Sequence, residues 1–333
     1  DSSNPLYTNN NTRADGNTFY QEPSAYQIKD NERTRTNAQL TFQYAFTDNL
    51  IATVDYTYSN VDFSAVGVMF GSWLGGWDTE DALINEHGAY TDVIVGNRAY
   101  DHELIWQELV NTNKSLGVNL EWSISDSFSM AFDAHHSSAE VDGGELNNSI
   151  GFTTDKKSTI THINGGNSGI NTFYYDTDFG PENYYGTNLT MRDGYKENEM
   201  EQYQLSGLWE NLDGGFITSI DFGYSHLESG FVKKRNIASY GSVAPPDAWD
   251  DALFSRTNLG DFMNSFSPDI GTDYYYRINP ADALAAFAAI NPGATDPADG
   301  AVCCGAGDID DNERVNETLD SLYLQFNMES QIG

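Results

Sequence analysis

The chain has 333 residues, of which 50 are acidic and 16 basic, so its formal net charge at pH 7 is −34. That balance excludes a basic face for nucleic acid, and we expect no nucleic-acid partner. Aromatic residues make up 13% of the chain, too many for a disordered acidic polymer. The longest nearly apolar run, 281–290, is about half of the roughly 20 residues that a membrane-spanning helix needs. The composition does not exclude a β-barrel, which crosses a membrane with strands of alternating apolar and polar residues.

Alternation of apolar and polar residues with a period of two dominates the chain and predicts β-strands. In the first segment Leu40, Phe42 and Tyr44 share one parity, whereas Thr41 and Gln43 share the other. The pattern recurs in pairs of segments that are separated by very short turn sequences. The predicted strands cover approximately residues 32–46, 50–62, 112–124, 128–140, 199–210, 215–228 and 316–331.

The connections between these pairs are far longer than the turns within them. They run approximately over 63–111, 141–198 and 229–315, whereas an ordinary connection has about 4–6 residues. In an antiparallel meander, successive connections fall on opposite edges of the sheet. One edge would therefore carry only short periplasmic turns and the other only long extracellular loops, as in outer-membrane barrels. We expect an all-β fold, an antiparallel up-and-down transmembrane β-barrel segment.

Acidic residues in the middle of the predicted strands keep to the parity opposite the apolar one. Each strand then has one face without charge, as a lipid-facing band requires, and one that tolerates carboxylates, as a water-filled lumen does. We predict that these acids face the lumen. They are Asp55, Glu121, Asp133, Glu210, Asp221 and Glu329. A β-sandwich with one solvated face would give the same pattern, so this test leaves both folds open.

Bulky aromatic residues on the apolar parity gather near the short turns. They are Phe46, Trp122, Phe128, Trp209 and Phe216. This placement is typical of the aromatic girdle at one membrane interface. The regular stretches also have about the 9–11 residues that a tilted strand needs to cross a bilayer. Both features favour the membrane interpretation, with core packing of a large sandwich as the alternative.

Three stretches carry a resemblance to a known family, through a polar start, alternating aromatic residues and a small turn before the return strand. They are NERTRTNAQLTFQYAFTDNLIATVDYTYS (31–59), LGVNLEWSISDSFSMAFDAHHS (116–137) and NERVNETLDSLYLQFNMESQIG (312–333). In these features the chain resembles the TonB-dependent receptors, active transporters of the bacterial outer membrane.

The resemblance implies that residues 1–333 are an internal part of the barrel domain, with the plug domain absent. It implies location in the bacterial cell outer membrane, with outer-membrane lipid and lipopolysaccharide as neighbours. The TonB–ExbB–ExbD system would be the energy-coupling partner, through an N-terminal part that this stretch lacks. The implied function is energy-coupled uptake of a scarce extracellular ligand, with oligosaccharide ahead of ferric siderophore or another metal complex.

The long loops contain paired aromatic residues among Asn, Asp and Gly. Such rings stack on the apolar faces of sugars while amides and carboxylates bind hydroxyl groups, so they are candidate ligand-binding residues. They are Trp73, Trp77, Tyr174, Tyr175, Tyr184, Tyr185, Tyr274, Tyr275 and Tyr276. The alternative is that they pack the loops against one another.

Other features predict little chemistry. Neither HExxH nor GxSxG occurs, and we expect neither an enzyme nor a catalytic residue. Oxygen ligands at Asp308, Asp310 and Asn312 are a candidate Ca²⁺ site, with a solvated acidic loop as the alternative; no other cofactor is expected. The adjacent Cys303 and Cys304 are either a vicinal disulfide or two thiols. Residues 281–290, after Asn279-Pro280, predict a short helix inside the largest loop.

Two other functions remain open. A passive porin has the same architecture, but it needs only an occasional long loop to constrict its pore. A secreted soluble all-β carbohydrate-binding protein would bury the apolar strand faces against each other in a dry core. The exposure of residues such as Leu120 and Val54 separates a dry core from an outward belt.

Overall fold

The computed structural model describes residues 7–9, 18–20, 24–73, 79–85, 90–143, 148–163, 172–241, 249–259, 272–292 and 309–329. Its strands in chain order are β1 Tyr7–Asn9, β2 Thr18–Tyr20, β3 Ser24–Thr47, β4 Leu50–Ser72, β5 Thr79–Ile84, β6 Tyr90–Arg98, β7 Asp101–Ser125, β8 Phe128–Gly143, β9 Asn148–Thr154, β10 Ser158–Ile163, β11 Thr172–Tyr175, β12 Tyr184–Glu210, β13 Ile217–Gly241, β14 Ser255–Asn258, β15 Tyr274–Arg277 and β16 Ile309–Met328. One α-helix, α1 Pro280–Ile290, and two 3-10 turns, Pro181–Asn183 and Asp251–Leu253, complete the described elements.

One large antiparallel sheet organises the chain, and the all-β prediction is confirmed. Its strand order is β16-β13-β12-β8-β7-β4-β3. β9 pairs with the first residues of both β7 and β12. Three small sheets, β11-β10-β6-β5, β14-β15 and β1-β2, come from the connections and from the start of the chain. In the part of the chain that is described, no helix is both long and apolar enough to cross a membrane.

Short turns join the strand pairs at one end of the large sheet, as predicted. Asn49 ties the first turn to the neighbouring strand, because its side chain donates to the Ser123 carbonyl at 2.9 Å. In the third turn the Asn211 side chain donates to the carbonyls of Gly214 and Ile217, both at 3.1 Å. Gly214 has a φ of +78°, a left-handed conformation that favours glycine. Local side-chain bonds and one glycine thus close these turns.

The large strands extend well beyond their predicted bounds on the side away from the turns. β4 continues to Ser72 and β7 begins at Asp101, so both ends of the predicted loop 63–111 belong to strands. β12 begins at Tyr184 and β13 ends at Gly241, deep in the other two predicted loops. The extension is held by uninterrupted cross-strand pairing, for example from Leu50 opposite Trp122 up to Gly71 opposite Asp101. Backbone pairing does not require the apolar alternation from which the strands were predicted.

Cross-strand register assigns every residue of the large sheet to one of two faces. The first, called the belt face, carries rows such as Tyr44, Ala52, Leu120, Phe132, Leu205, Tyr224 and Leu322. The second, called the polar face, carries rows such as Gln43, Thr53, Asn119, Asp133, Gln204, Ser225 and Ser321. Five of the six predicted lumen acids, Asp55, Glu121, Asp133, Glu210 and Asp221, share the polar face, and Glu329 follows the last residue of β16. That this face lines a lumen stays a prediction.

The buried core lies at the end of the sheet away from the short turns and packs on the belt face. Sheet residues such as Phe70, Leu104 and Leu189 meet side chains from the connection between β13 and β16. The Phe70 and Tyr275 rings are stacked at 5.9 Å, and Phe152 meets Trp249 edge-on at 5.1 Å. We call this cluster, with Tyr184, Tyr276 and Phe287, the loop core.

Helix α1 confirms the predicted helix in the largest connection. Asn279 caps its first turn, because the side-chain oxygen accepts from the backbone N–H of Ala281 at 2.9 Å and of Asp282 at 3.2 Å. Ala283 and Phe287, one turn apart, are its buried residues. Phe287 meets the Tyr240 ring of β13 at 5.5 Å, so the helix closes one side of the loop core.

Candidate functional site

An exposed apolar belt covers the belt face near the short turns. Its members are Leu40, Phe42, Tyr44, Phe46, Val54, Tyr56, Leu116, Trp122, Ile124, Phe132, Tyr203, Leu205, Trp209, Tyr224, Leu322, Leu324, Phe326 and Met328. Leu40 is 68% and Leu322 is 81% exposed. Among the described residues, no element covers this surface. A contiguous apolar surface of this extent on a soluble monomer would mark a contact site, since such surfaces rarely stay open to water.

The belt runs obliquely across the strands. Leu322 of β16 lies in the row of Tyr44, whereas on β3 the belt continues four residues further from the turns, to Leu40. At the turn end, Leu324 lies in the row of Leu50, and β16 adds Phe326 and Met328 beyond it. Between β3 and β16, the margin at the turns and the margin away from the turns are both displaced along the strands in the same direction, by about 13 Å. The two strands are about 29 Å apart across the sheet, so the belt slants by about 25° relative to the cross-strand rows.

Most of the predicted aromatic girdle lies in or beside the belt. Phe46, Trp122, Trp209 and Phe216 are exposed near the short turns. Phe128 is half-buried because its ring stacks on Phe222 at 6.2 Å. Phe222 in turn lies over Gly207, where a Cβ atom would come within 2.3 Å of the ring. The girdle is thus partly a layer of rings packed flat on the strand surface.

A hollow of about 180 Å³ lies near the far end of the sheet, beside Asp101. Gly71 and Gly151 leave its floor without side chains, and Trp73, Glu103 and Asn188 border it. Trp73 is 53% exposed. The hollow has room for about a dozen water molecules, comparable to one sugar ring. An aromatic face beside carboxylate and amide oxygens is the combination that binds sugars.

The Asp101 carboxylate is held firmly in this hollow. It accepts a hydrogen bond from the Thr153 hydroxyl at 2.6 Å and one from the Trp73 backbone N–H at 3.3 Å. Burial raises the pKa of Asp101, and these two hydrogen bonds oppose the rise. The group is therefore positioned to accept from a ligand hydroxyl.

His102, the next residue, points to the opposite side and lies inside the loop core. Its ring is fully enclosed by Phe70, Tyr184 and Tyr276, at centroid distances of 6.3, 5.9 and 6.3 Å. The Tyr276 backbone approaches the ring, but neither ring nitrogen has a hydrogen-bond partner of good geometry among the described residues. Burial lowers the pKa of His102 to about 4, so the ring is neutral at pH 7.

Some of the candidate loop aromatics are buried or engaged within the loops, and the others keep accessible surface. Tyr184, Tyr275 and Tyr276 are buried in the loop core, where they pack and have no surface for an external ligand. Tyr274 donates from its hydroxyl to Asp178 at 2.9 Å, and Arg256 lies 3.8 Å from the centre of its ring. Tyr175 is half-buried with its ring 4.9 Å from that of Tyr100.

The remaining candidates keep some accessible surface or lie outside the described residues. Trp73 and Tyr174 are exposed, and Tyr185 is half-buried. Trp77, Cys303, Cys304 and Asp308 lie outside the described residues, as does the Asp310 side chain. Asn312, the third residue of the candidate Ca²⁺ site, is exposed on β16. In the described ranges no group of three or more His, Cys, Asp or Glu residues is arranged to hold a metal ion.

Sequence reasoning missed the Asp101 hollow and the buried His102. Asp101, His102 and Glu103 fell inside a predicted loop, so neither their strand nor their faces were assigned. An Asp-His-Glu tripeptide before the apolar run Leu104-Ile105-Trp106 was the available signal. Pairing of β7 with β4 and β9 brings Gly71 and Gly151 beside Asp101 and Glu103, respectively, and only the fold could supply that.

Comparison with known proteins gives no further assignment. No family model, curated protein or solved structure matches this chain.

Proposed function

We propose that this chain forms part of the wall of a bacterial outer-membrane transporter, an up-and-down β-barrel that takes up a scarce ligand by energy coupling. The observation that carries the proposal is the exposed apolar belt. In water its open surface would be unfavourable by about 25 cal/mol per Å², and lipid chains would remove that cost. The TonB-dependent class is taken from the resemblance of the strand segments.

The slant of the belt supports a tilted, membrane-spanning wall. Strands of such barrels tilt by about 35–45° from the membrane normal, so a level hydrocarbon layer must cut obliquely across the cross-strand rows. A slant of about 25°, in the same sense at both margins, agrees with a tilted wall in direction and is smaller than the full tilt of such barrels. The dry core of a soluble sandwich has no need of such a slant. Val54 is 39% exposed and Leu120 is half-buried, so neither side chain is enclosed in a dry core.

The two ends of the sheet support a loop-based receptor. Short turns lie at one end, whereas the connections at the other carry the loop core, helix α1 and the Asp101 hollow. Connections of this length suit capture of a ligand, and a passive porin needs only a constriction. Trp73, Asp101, Glu103 and Asn188 border the same hollow. This combination supports an oligosaccharide as the first candidate ligand, ahead of a metal complex.

Membrane fractionation of the full-length gene product tests the wall. We expect the protein to remain in salt-washed membranes and to require detergent for extraction. Recovery in the soluble fraction without detergent would contradict the proposal.

Uptake tests the coupling and the ligand. We expect cells to import a labelled oligosaccharide, and a cell without functional TonB to lose that import. Trp73→Ala should weaken binding about tenfold because one stacking surface is lost. Leu212→Ala, an exposed apolar change in the short turn at the opposite end, is the matched control and should bind as the parent does. Import that continues without TonB would favour the porin.

A further inference from the structure

Strand β12 is irregular where it borders the Asp101 hollow. Its pairing with β9 moves from Gly186 directly to Asn188, which leaves Thr187 as an extra residue, a β-bulge. Successive side chains of a regular strand point to opposite faces, whereas a bulge changes the direction of one of them. Thr187 and Asn188 therefore both border the hollow, although they are consecutive residues.

The glycine opposite the bulge determines where the Asn188 amide lies. A Cβ atom on Gly151 would come within 2.1 Å of Asn188 Oδ1 and 2.8 Å of the Thr187 hydroxyl oxygen. Both side chains thus lie over the Gly151 backbone, in space that any other residue would fill. The Thr187 hydroxyl donates to Asn188 Oδ1 at 3.0 Å. This bond orients the amide, so its Nδ2 hydrogens are the donors that a ligand can use.

Two carboxylates lie on the other side of the same hollow. Glu103, Gly151 and Asn188 occupy one cross-strand row, so about 10 Å separates the backbones of Glu103 and Asn188, with only the glycine between them. Asp101 lies two residues from Glu103 along β7 and on the same face. The hollow is therefore bordered by hydrogen-bond acceptors on one side and by an amide donor on the other.

Few chemical groups can bind to both sides. An ionised carboxylate accepts hydrogen bonds and cannot donate, whereas the Nδ2 group of asparagine donates and cannot accept. An ammonium group of a ligand would bind only the carboxylates, and a sulfate or phosphate group would bind only the amide. A hydroxyl group donates and accepts through one oxygen, and a sugar ring carries several hydroxyls side by side. The exposed Trp73 ring adds an apolar surface at the border of the hollow.

We propose that Glu103 and Asn188 together bind free hydroxyl groups of one sugar ring, with Asp101 as a second acceptor. The hollow then selects oligosaccharides with unsubstituted hydroxyls over those in which the hydroxyls are O-methylated. Thr187 is a positioning residue that acts through Asn188. The choice of an oligosaccharide rests on the proposed function. Binding itself needs neither a membrane nor TonB and can be measured on protein purified in detergent.

The first test is calorimetric titration of the full-length gene product with hexasaccharides of glucose, mannose, galactose and xylose, each in its free and its fully O-methylated form. We expect at least one free hexasaccharide to bind. Its methylated form should bind at least about tenfold more weakly, because polar groups of the site would be left unpaired. Equal binding of the two forms, or no binding of any free form, would overturn the site.

Substitutions on the two sides of the hollow test whether both are used. Asn188→Asp keeps the shape of the side chain and removes its donor. Glu103→Gln keeps the shape and removes the charge that strengthens a hydrogen bond. Each should weaken binding of the free hexasaccharide about tenfold. Loss of affinity in only one of the two would contradict hydroxyl groups shared between them.

The bulge residue and a matched control complete the experiment. Thr187→Val removes the hydroxyl that orients Asn188 and should weaken binding severalfold, whereas Thr187→Ser should restore it. Asn198→Asp makes the same change at an exposed position on the polar face of β12, outside the hollow, and should bind as the parent does. An unchanged affinity in Asn188→Asp would overturn this site and leave energy-coupled uptake standing. Import that continues without TonB would contradict the proposed function and leave the site standing.

Discussion

The two halves of β7 carry the same face in opposite environments. Leu104 and Trp106 are 0% and 6% exposed, whereas Leu116 and Trp122, on the same face of the same strand, are 45% and 47% exposed. β12 repeats the contrast, with Leu189 buried and Leu205 open. Among the described residues, aromatic side chains cover the apolar face at the loop end, and nothing covers it at the turn end. In the proposed function, lipid covers the belt at the turn end.

The largest expected effect comes from one substitution made in both halves. Leu104→Ala should lower the free energy of unfolding by about 2–5 kcal/mol, because it leaves a cavity in the loop core. Leu116→Ala removes the same atoms from the belt and should cost less than about 1 kcal/mol. Denaturant unfolding in detergent micelles measures both. Equal costs would contradict the contrast between the halves.

A charge on the belt face tests what covers the belt, and Leu120, half-buried opposite the belt residue Phe132, is a suitable position. Leu120→Arg should disfavour insertion into lipid vesicles by about 2–4 kcal/mol, as expected for arginine at mid-membrane. Asn119→Arg puts the same charge on the polar face of the next residue and should cost less than about 1 kcal/mol. The folding equilibrium with vesicles reports the difference. If Leu120→Arg left the folding equilibrium with vesicles unchanged, lipid would not contact the belt.

Acidification should weaken the loop core and spare the belt. The pKa of His102 is about 4 in the folded chain, below the value of about 6.5 expected when unfolded. The unfolded chain therefore binds more protons between these values. The stability is complete above about pH 6.5 and falls towards pH 4, by at most about 3 kcal/mol.

Near-UV circular dichroism of the packed aromatic residues, followed through thermal unfolding at several pH values, measures this dependence. Asp101 has a raised pKa and acts in the opposite direction, so the contribution of His102 is the difference between the parent and His102→Leu. His136→Leu, the same substitution at an exposed position on β8, is the matched control. The same slope in His102→Leu would exclude His102 as the cause.

The smallest effect concerns the turn end. Gly214→Ala forces a side chain into a φ of +78° and should cost about 1 kcal/mol. The neighbouring Asp213→Ala, which has no positive φ, should be close to neutral. Unfolding midpoints of the two variants give the comparison. Similar midpoints would mean that this turn relaxes easily.

The half of the large sheet near the short turns was largely predictable, because its apolar and polar residues alternate along each strand. Alternation of Leu40, Phe42 and Tyr44 with Thr41 and Gln43 identified both the strand and its two faces. The helix was predictable from Asn279 and Pro280, which act through local hydrogen bonding. The strand segments far from the short turns could not be predicted, because residues 101–111 and 184–198 lack that alternation. Their strand conformation depends on hydrogen bonds to partners such as Gly71 and Thr154.

The candidate sites show the same division. Sequence alone picked out Tyr184, Tyr275 and Tyr276 as aromatic pairs, but it could not tell packing from ligand binding. Tertiary contacts bury these three rings and leave Trp73 exposed. The direct pairing of Lys196 with Lys233 was invisible in the sequence, because the two residues are far apart along the chain and meet only through the pairing of β12 with β13.

The sequence by itself determined the all-β class, the two chemically distinct faces of the lower strands and the ends at which short and long connections fall. These properties depend on residue periodicity and turn chemistry, which are local. The tertiary structure alone decided which apolar residues are covered and which charges stand side by side. Burial and charge pairing arise between residues that are distant along the chain, and cross-strand register sets which of them meet.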